Sequence, residues 1–182
     1  MLLIKNDNEC KKICIWKDEI PFNYVSQDAL NLCFNSGSAN WYVGTICMEV
    51  KLHARHVSNY AMICMRYTNN KETGTDVIIN FGRSDISFSS FVLPFNQDVH
   101  IGLDEEFANA IDDFFKECSL EKLPSGTIEI LNGGYDEVGS SQMTFKKAME
   151  LLCFIFQHVN ALVLRHVDIQ RNIPIYCCRF LV

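Results

Sequence analysis

The chain has 182 residues, of which 48% are hydrophobic, 21% charged and 12% aromatic. That length and composition suit one folded domain with a substantial core and exclude a disordered chain. The formal net charge of −6 and pI of about 5.3 argue against a protein whose main task is gripping phosphate backbones.

No apolar run approaches the roughly 18 residues that a membrane span needs. The opening "MLLIKNDNECKK" is a poor secretory signal, because its short apolar stretch runs straight into charge. "ICIW" (13–16) reads as a strand. "SQDALNLCF" (26–34) begins on a capping serine and stops before Gly37, which predicts a short helix. "WYVGTICMEVKLH" (41–53) and "YAMICMRYT" (60–68) are β-branched, aromatic and sulfur-rich, and "HARHVSN" between them suits a hairpin connection. After the turn cluster "NNKETGTD" (69–76), "DVIINF" (76–81) and "ISFSSFVLPF" (86–95) are further strand candidates.

The period then changes. Leu103, Phe107, Ala110, Ile111, Phe114 and Phe115 recur at three- and four-residue spacing and predict an amphipathic helix. Three acids fall in its first turn, where the helix dipole favours them. "GTIEIL" (126–131) alternates as a half-buried strand. Phe145, Ala148, Met149, Leu152, Ile155, Phe156 and Val159 predict a second helix, and "ALVLRHVDI" (161–169) and "IPIYCCRFLV" (173–182) read as closing strands. Strands, then helix–strand–helix, then strands imply an α+β fold: a mostly antiparallel sheet with two main helices packed on one face. The whole chain, 1–182, is expected to form a single domain. Within it lie an N-terminal flank (1–40) with a strand and a short helix, a core (41–156), and C-terminal strands (157–182).

Nine cysteines, an odd number, sit mostly inside apolar runs such as "TICMEV" and "LLCFIF". They are expected to act as small hydrophobes in a reducing cytosol rather than as a disulfide framework. No zinc-type spacing occurs among them or with "HARH" (53–56), so no metal ligand is assigned. Cys33, beside the polar loop "FNSGSAN", is the least core-like of the nine, but no nucleophile motif accompanies it. No catalytic residue and no cofactor are assigned.

The segment "GTIEILNGGYDEVGSSQMTFKKAMELL" (126–152) resembles the C-terminal half of domain IV of elongation factor G and related translational GTPases. The matching residues are Gly134, Tyr135, Val138, Ser140, Ser141, Phe145, Lys146 and Ala148. The likeness is strong over 126–150 and weaker over 41–156, and it implies a split βαβ core. Physically, Ser140 or Ser141 is placed to cap the helix, and the glycines let the loop turn tightly. The departures are specific. Where the family has a histidine after the tyrosine, this chain has Asp136 and Glu137, and the family's aspartate before the serines is Gly139. No G-x-x-x-x-G-K-[ST] motif occurs, so these 182 residues are expected to hold no GTPase domain.

The acids are concentrated. Residues 98–122 hold eight acids and two bases, which accounts for the whole net charge. If the two helices pack side by side, Asp104, Glu105, Glu106, Asp112, Asp113, Asp136 and Glu137 form one negative surface that steers a basic protein partner. The expected function is a non-enzymatic cytosolic protein-binding module. The best fit is an inhibitor or immunity-type protein that neutralises a basic partner such as a toxin nuclease. The alternative is a ribosome- or RNA-associated accessory protein that keeps the role of the elongation factor G domain.

Overall fold

In a computed structural model, the alternating runs pair into strands and the two 3.6-period stripes form helices. The structure describes residues 1–5, 11–22, 24, 26–35, 39–54, 57–93, 97–119 and 123–163. The strands are β1 (Leu2–Lys5), β2 (Lys11–Lys17), β3 (Asp28–Phe34), β4 (Gly44–Ala54), β5 (Val57–Thr68), β6 (Thr75–Ser89), β7 (Asp98–Leu103) and β8 (Gly126–Tyr135). The helices are α1 (Glu105–Glu117) and α2 (Gln142–Val163). One sheet contains all eight strands in the order β1-β2-β4-β5-β8-β7-β6-β3. Among the described residues its ladders are antiparallel except for β6–β8. The α+β architecture expected from the sequence is therefore present, with both helices on one face.

The single parallel ladder explains how the second half is assembled. β8 runs beside β6 from Thr75↔Gly126 to Ile79↔Ile130. Further along β8, β7 takes the place of β6, pairing Ile101 with Gly134 and His100 with Tyr135. A parallel pair needs a crossover, and here β7 and α1 supply it. At the entry to β8 the backbone is tight. Gly126 has φ +137°, and a Cβ there would lie 2.3 Å from the Thr68 carbonyl oxygen of β5. Only glycine fits that approach.

Two cores follow from the alternation of side chains across the sheet. On the helix face, Ile46, Met48, Val50, Ile63, Met65, Val77, Ile79, Ile128 and Ile130 meet Phe107, Ile111 and Phe115 of α1 and Phe145, Met149, Leu152 and Phe156 of α2. Both predicted helical stripes are buried there; only Phe114 is half-buried, and the Val159 side chain is outside the described set. The helices are joined by the Phe107–Phe145 ring stack, with centroids 4.4 Å apart. On the opposite face, Cys14, Trp16, Cys47, Tyr60, Met62 and Cys64 are covered by Phe22, Phe88, Val92 and Leu93.

Four expectations are corrected. Residues 28–34, expected as part of a helix, form strand β3, in register from Asp28↔Phe81 to Phe34↔Thr75. Leu30, Leu32 and Phe34 alternate toward the helix-face core, and a run this short gains more from pairing with β6 than from an isolated helical turn. Ser26 donates to the Leu131 carbonyl instead of capping a helix. The two strands expected at 76–81 and 86–95 are largely one, β6, continuous through Gly82; past Ser89 the chain bends, and the Ser90 hydroxyl accepts the Val92 and Leu93 amides. Residues 161–163, expected as strand, continue α2, because adding a residue to a formed helix is easier than starting a new element; residues 164–182, including the second closing strand, lie outside the described residues. Finally, Cys47 and Cys64, expected to be reduced, are joined as a disulfide. The β4–β5 register sets them directly opposite, with their Cα atoms 4.0 Å apart. Within residues 1–40, β1 and β3 form the two edges of the sheet.

A buried carboxylate sits in the second core. Glu49 is fully buried, and it accepts the Tyr60 hydroxyl at 2.9 Å and the Phe91 amide at 3.1 Å. Burial raises its pKa, and hydrogen bonds from Ser90, Tyr60 and Phe91 oppose the rise. An acid with a raised folded pKa holds its proton longer in the folded state. Its stabilising share is therefore fully present below the unfolded carboxyl value of about 4.3 and is lost as pH rises through the folded value. Relative to Glu49→Gln, the wild-type protein should lose urea resistance as pH rises through that window. A wild-type stability, taken relative to Glu49→Gln, that stays flat or rises with pH would contradict a raised Glu49.

Candidate functional site

The strand-to-helix corner at 134–145 is closed by its own polar atoms. Asp136 Oδ2 accepts the Gly139 amide at 2.9 Å, and the Ser140 hydroxyl accepts the Asp136 amide at 2.9 Å while donating to the Tyr60 carbonyl at 2.7 Å. The Tyr60 amide donates to the Gly139 carbonyl at 3.0 Å, so the loop is strapped onto β5. Ser141 caps α2: its hydroxyl accepts the Thr144 amide at 3.2 Å. Of the two serines expected as caps, Ser141 has that role and Ser140 ties the loop to the sheet. Ser141→Ala should cost about 1 kcal/mol in chemical denaturation; no loss would mean the cap bond carries nothing.

The acids expected to form one surface divide into two groups. Asp104, Asp112 and Asp136 are buried, at 7%, 9% and 9% exposure. Asp104 accepts Arg83 Nε at 2.9 Å, Asp112 pairs with Lys116 one helical turn on, and Asp136 serves the loop. Each supports the fold rather than facing a partner, which corrects the expectation for these three. The physical reason is that a carboxylate near apolar elements is steadied by an adjacent donor, and each of these has one. Glu105, Glu106, Asp113 and Glu137 are exposed. Asp113 shares Lys146 with Glu117, at 3.7 and 3.0 Å. Glu137 lies 3.2 Å from His100 Nε2, and the His100 ring stacks on Tyr135. Tyr135 also packs on Phe107, and its hydroxyl pKa is raised first by burial and next by Asp104.

Sequence reasoning missed two apolar side chains at this end of the molecule. Val138 is 87% exposed and Met143 61% exposed. They bracket the serines of the corner: Val138 follows Glu137 in the loop, and Met143 lies in the first turn of α2. Between the first turns of α1 and α2 lies an open depression of about 540 Å³, lined by Glu106, Phe107, Ser140, Ser141, Gln142, Met143 and Lys146. Val138 was visible in the sequence as a match to the family motif; its exposure was not.

Among the described residues, no group of three or more His, Cys, Asp or Glu side chains is arranged to hold a metal ion, and no helix is long and apolar enough to cross a membrane. Cys33 is exposed on β3, but its thiol pKa is raised by a hydrogen bond to Asp76, and by that carboxylate's charge, the wrong direction for a nucleophile. Cys14 is buried, and burial chiefly pushes its pKa up to about 12. Cys10, His56, Cys177 and Cys178 lie outside the described residues. No protein-family model, curated protein or solved structure matches the chain.

Proposed function

We propose that the chain is a non-enzymatic protein-binding module of the inhibitor or immunity type, which neutralises a basic partner such as a toxin nuclease. The observation that carries this reading is the end of the molecule where β8 meets both helices. Val138 stands exposed beside Glu137 in the corner loop, and exposed Met143 lines one depression with Glu106, which follows exposed Glu105 in the first turn of α1. Large apolar side chains left in water beside unburied carboxylates suit a surface that a cationic, partly apolar protein covers. The same corner carries the likeness to domain IV of elongation factor G, and the β6–β8 parallel ladder with its β7–α1 crossover supports a split βαβ core of that kind. On this reading the corner keeps the shape of the family's tip while exposed Glu137 replaces its affinity for nucleic acid with affinity for a basic protein.

We place the protein in the cytosol. Four free cysteines among the described residues, Cys14, Cys33, Cys118 and Cys153, support this reading, and the Cys47–Cys64 disulfide is the observation against it. The test is retention. The immobilised chain, offered the proteins of its source cell at low ionic strength, should hold a basic protein that salt releases. Stoichiometric addition of the chain should then suppress that protein's activity. Retention of ribosomes or structured RNA in its place overturns the reading in favour of the RNA-associated one.

A further inference from the structure

Two free cysteines lie along the seam between α1 and α2. Cys118 is the C-cap of α1 and Cys153 lies on α2; both are half-buried and pack against the helix-face core. Contacts elsewhere on the same helix faces show how they are placed. Lys146 of α2 reaches Asp113 and Glu117 of α1, at 3.7 and 3.0 Å, so that side of α2 faces α1. Cys153 comes about two helical turns after Lys146 and keeps to the same side. Cys118 directly follows Glu117. Burial is the main cause that pushes the Cys153 thiol up, and the next is Cys118, so the two sulfurs are electrostatic neighbours. From this geometry we propose that Cys118 and Cys153 form a dithiol that a low-molecular-weight disulfide, of the oxidised glutathione class, converts into a disulfide joining α1 to α2.

Nothing in this chemistry depends on the partner proposed above. Cys118 starts the reaction, because it sits at the exposed end of α1, where its thiol donates to the Ser119 carbonyl at 3.7 Å. Cys153, held protonated by burial, is the poorer first nucleophile. The Cys118 thiolate attacks one sulfur of the oxidant, whose S–S bond breaks, and half of the oxidant leaves as a thiolate. Cys153 then passes its proton to that thiolate and attacks the Cys118 sulfur. The Cys118–Cys153 bond forms, and the second half of the oxidant leaves and takes a proton from solvent. Two electrons pass from the protein dithiol to the oxidant, which ends as two thiols. The new bond ties the helices at the end of α1 opposite the Phe107–Phe145 stack and closes a loop that contains β8. The other free cysteines among the described residues do not compete, since Cys33 is on edge strand β3 beside Asp76 and Cys14 is in the core on the opposite face of the sheet.

Peptide mapping tests the pairing. The folded chain is incubated with oxidised glutathione in the absence of denaturant, alkylated and digested with trypsin. The expected product joins peptides 117–122 and 148–165, each of which holds a single cysteine. In Cys153→Ser, Cys118 should accumulate as its glutathione adduct. In Cys118→Ser, Cys153 should react about tenfold more slowly than Cys118 does in the wild type. A wild-type Cys118 that persists as the glutathione adduct overturns the pairing, as does one joined to any cysteine other than Cys153. A Cys118 that remains a free thiol under the same conditions also overturns it. Equal reactivity of Cys153 with and without Cys118 would overturn Cys118 as the entry point.

Discussion

Phe145→Ala should cost about 3–5 kcal/mol of folding stability, read as a fall in the urea midpoint with little change in slope. Phe145 is fully buried, stacks on Phe107 of α1, and sits in the first turn of α2, whose cap is Ser141. Truncation removes an aromatic ring from a packed site and opens a cavity between the two helices that neither backbone can close. The loss should also be larger than that of Phe114→Ala, because Phe114 is only half-buried. A cost for Phe145→Ala below about 1 kcal/mol would mean the helices are not clamped at this stack.

The second large effect is kinetic. Replacing Glu105, Glu106 and Glu137 together by Gln should slow association with the proposed basic partner about tenfold at low salt. The gap between variant and wild type should close as ionic strength rises, since the screening length falls from about 30 Å at 0.01 M to about 10 Å at 0.1 M. The dissociation rate should change less than the association rate, because these carboxylates are exposed rim charges. Asp104→Asn provides the contrast. Asp104 is buried against Arg83, so its loss should lower stability rather than the encounter rate. An association rate that is unchanged in the triple variant at low salt rejects steering by this surface.

Most of the strands and both helices were legible because their periods are clean. "GTIEIL" alternates, and Phe107, Ile111 and Phe115 repeat at helical spacing. The misreading at 28–34 has a local cause. Leu30, Leu32 and Phe34 alternate, yet Ser26 also offered a plausible cap, and in so short a stretch the two signals compete. Strand β6 provided the partner that decided the outcome, and no local feature announces a partner some fifty residues away in the chain. β7 was overlooked for a related reason: its six residues lead straight into α1, and the stronger helical period masked them.

The candidate site was legible only in part. The corner at 134–145 was readable from its glycines and serines, because cap and turn chemistry is local. That Ser141 is the cap, and Ser140 the tie to Tyr60, depends on where β5 lies. The concentration of acids was plain in the sequence, but their exposure was not. Asp104, Asp112 and Asp136 turn inward to Arg83, Lys116 and the Gly139 amide, while Glu105, Glu106, Asp113 and Glu137 face solvent.

By itself, the sequence determined the fold class, the two helical stripes, the corner and the total charge, because each follows from short-range periodicity or from counting. The tertiary structure decided which acids remain on the surface, that Val138 and Met143 are left in water, and that β6 and β8 run parallel with α1 in their crossover. Those outcomes depend on contacts between residues far apart in the chain, and burial is a property of the neighbours a side chain acquires rather than of the side chain itself.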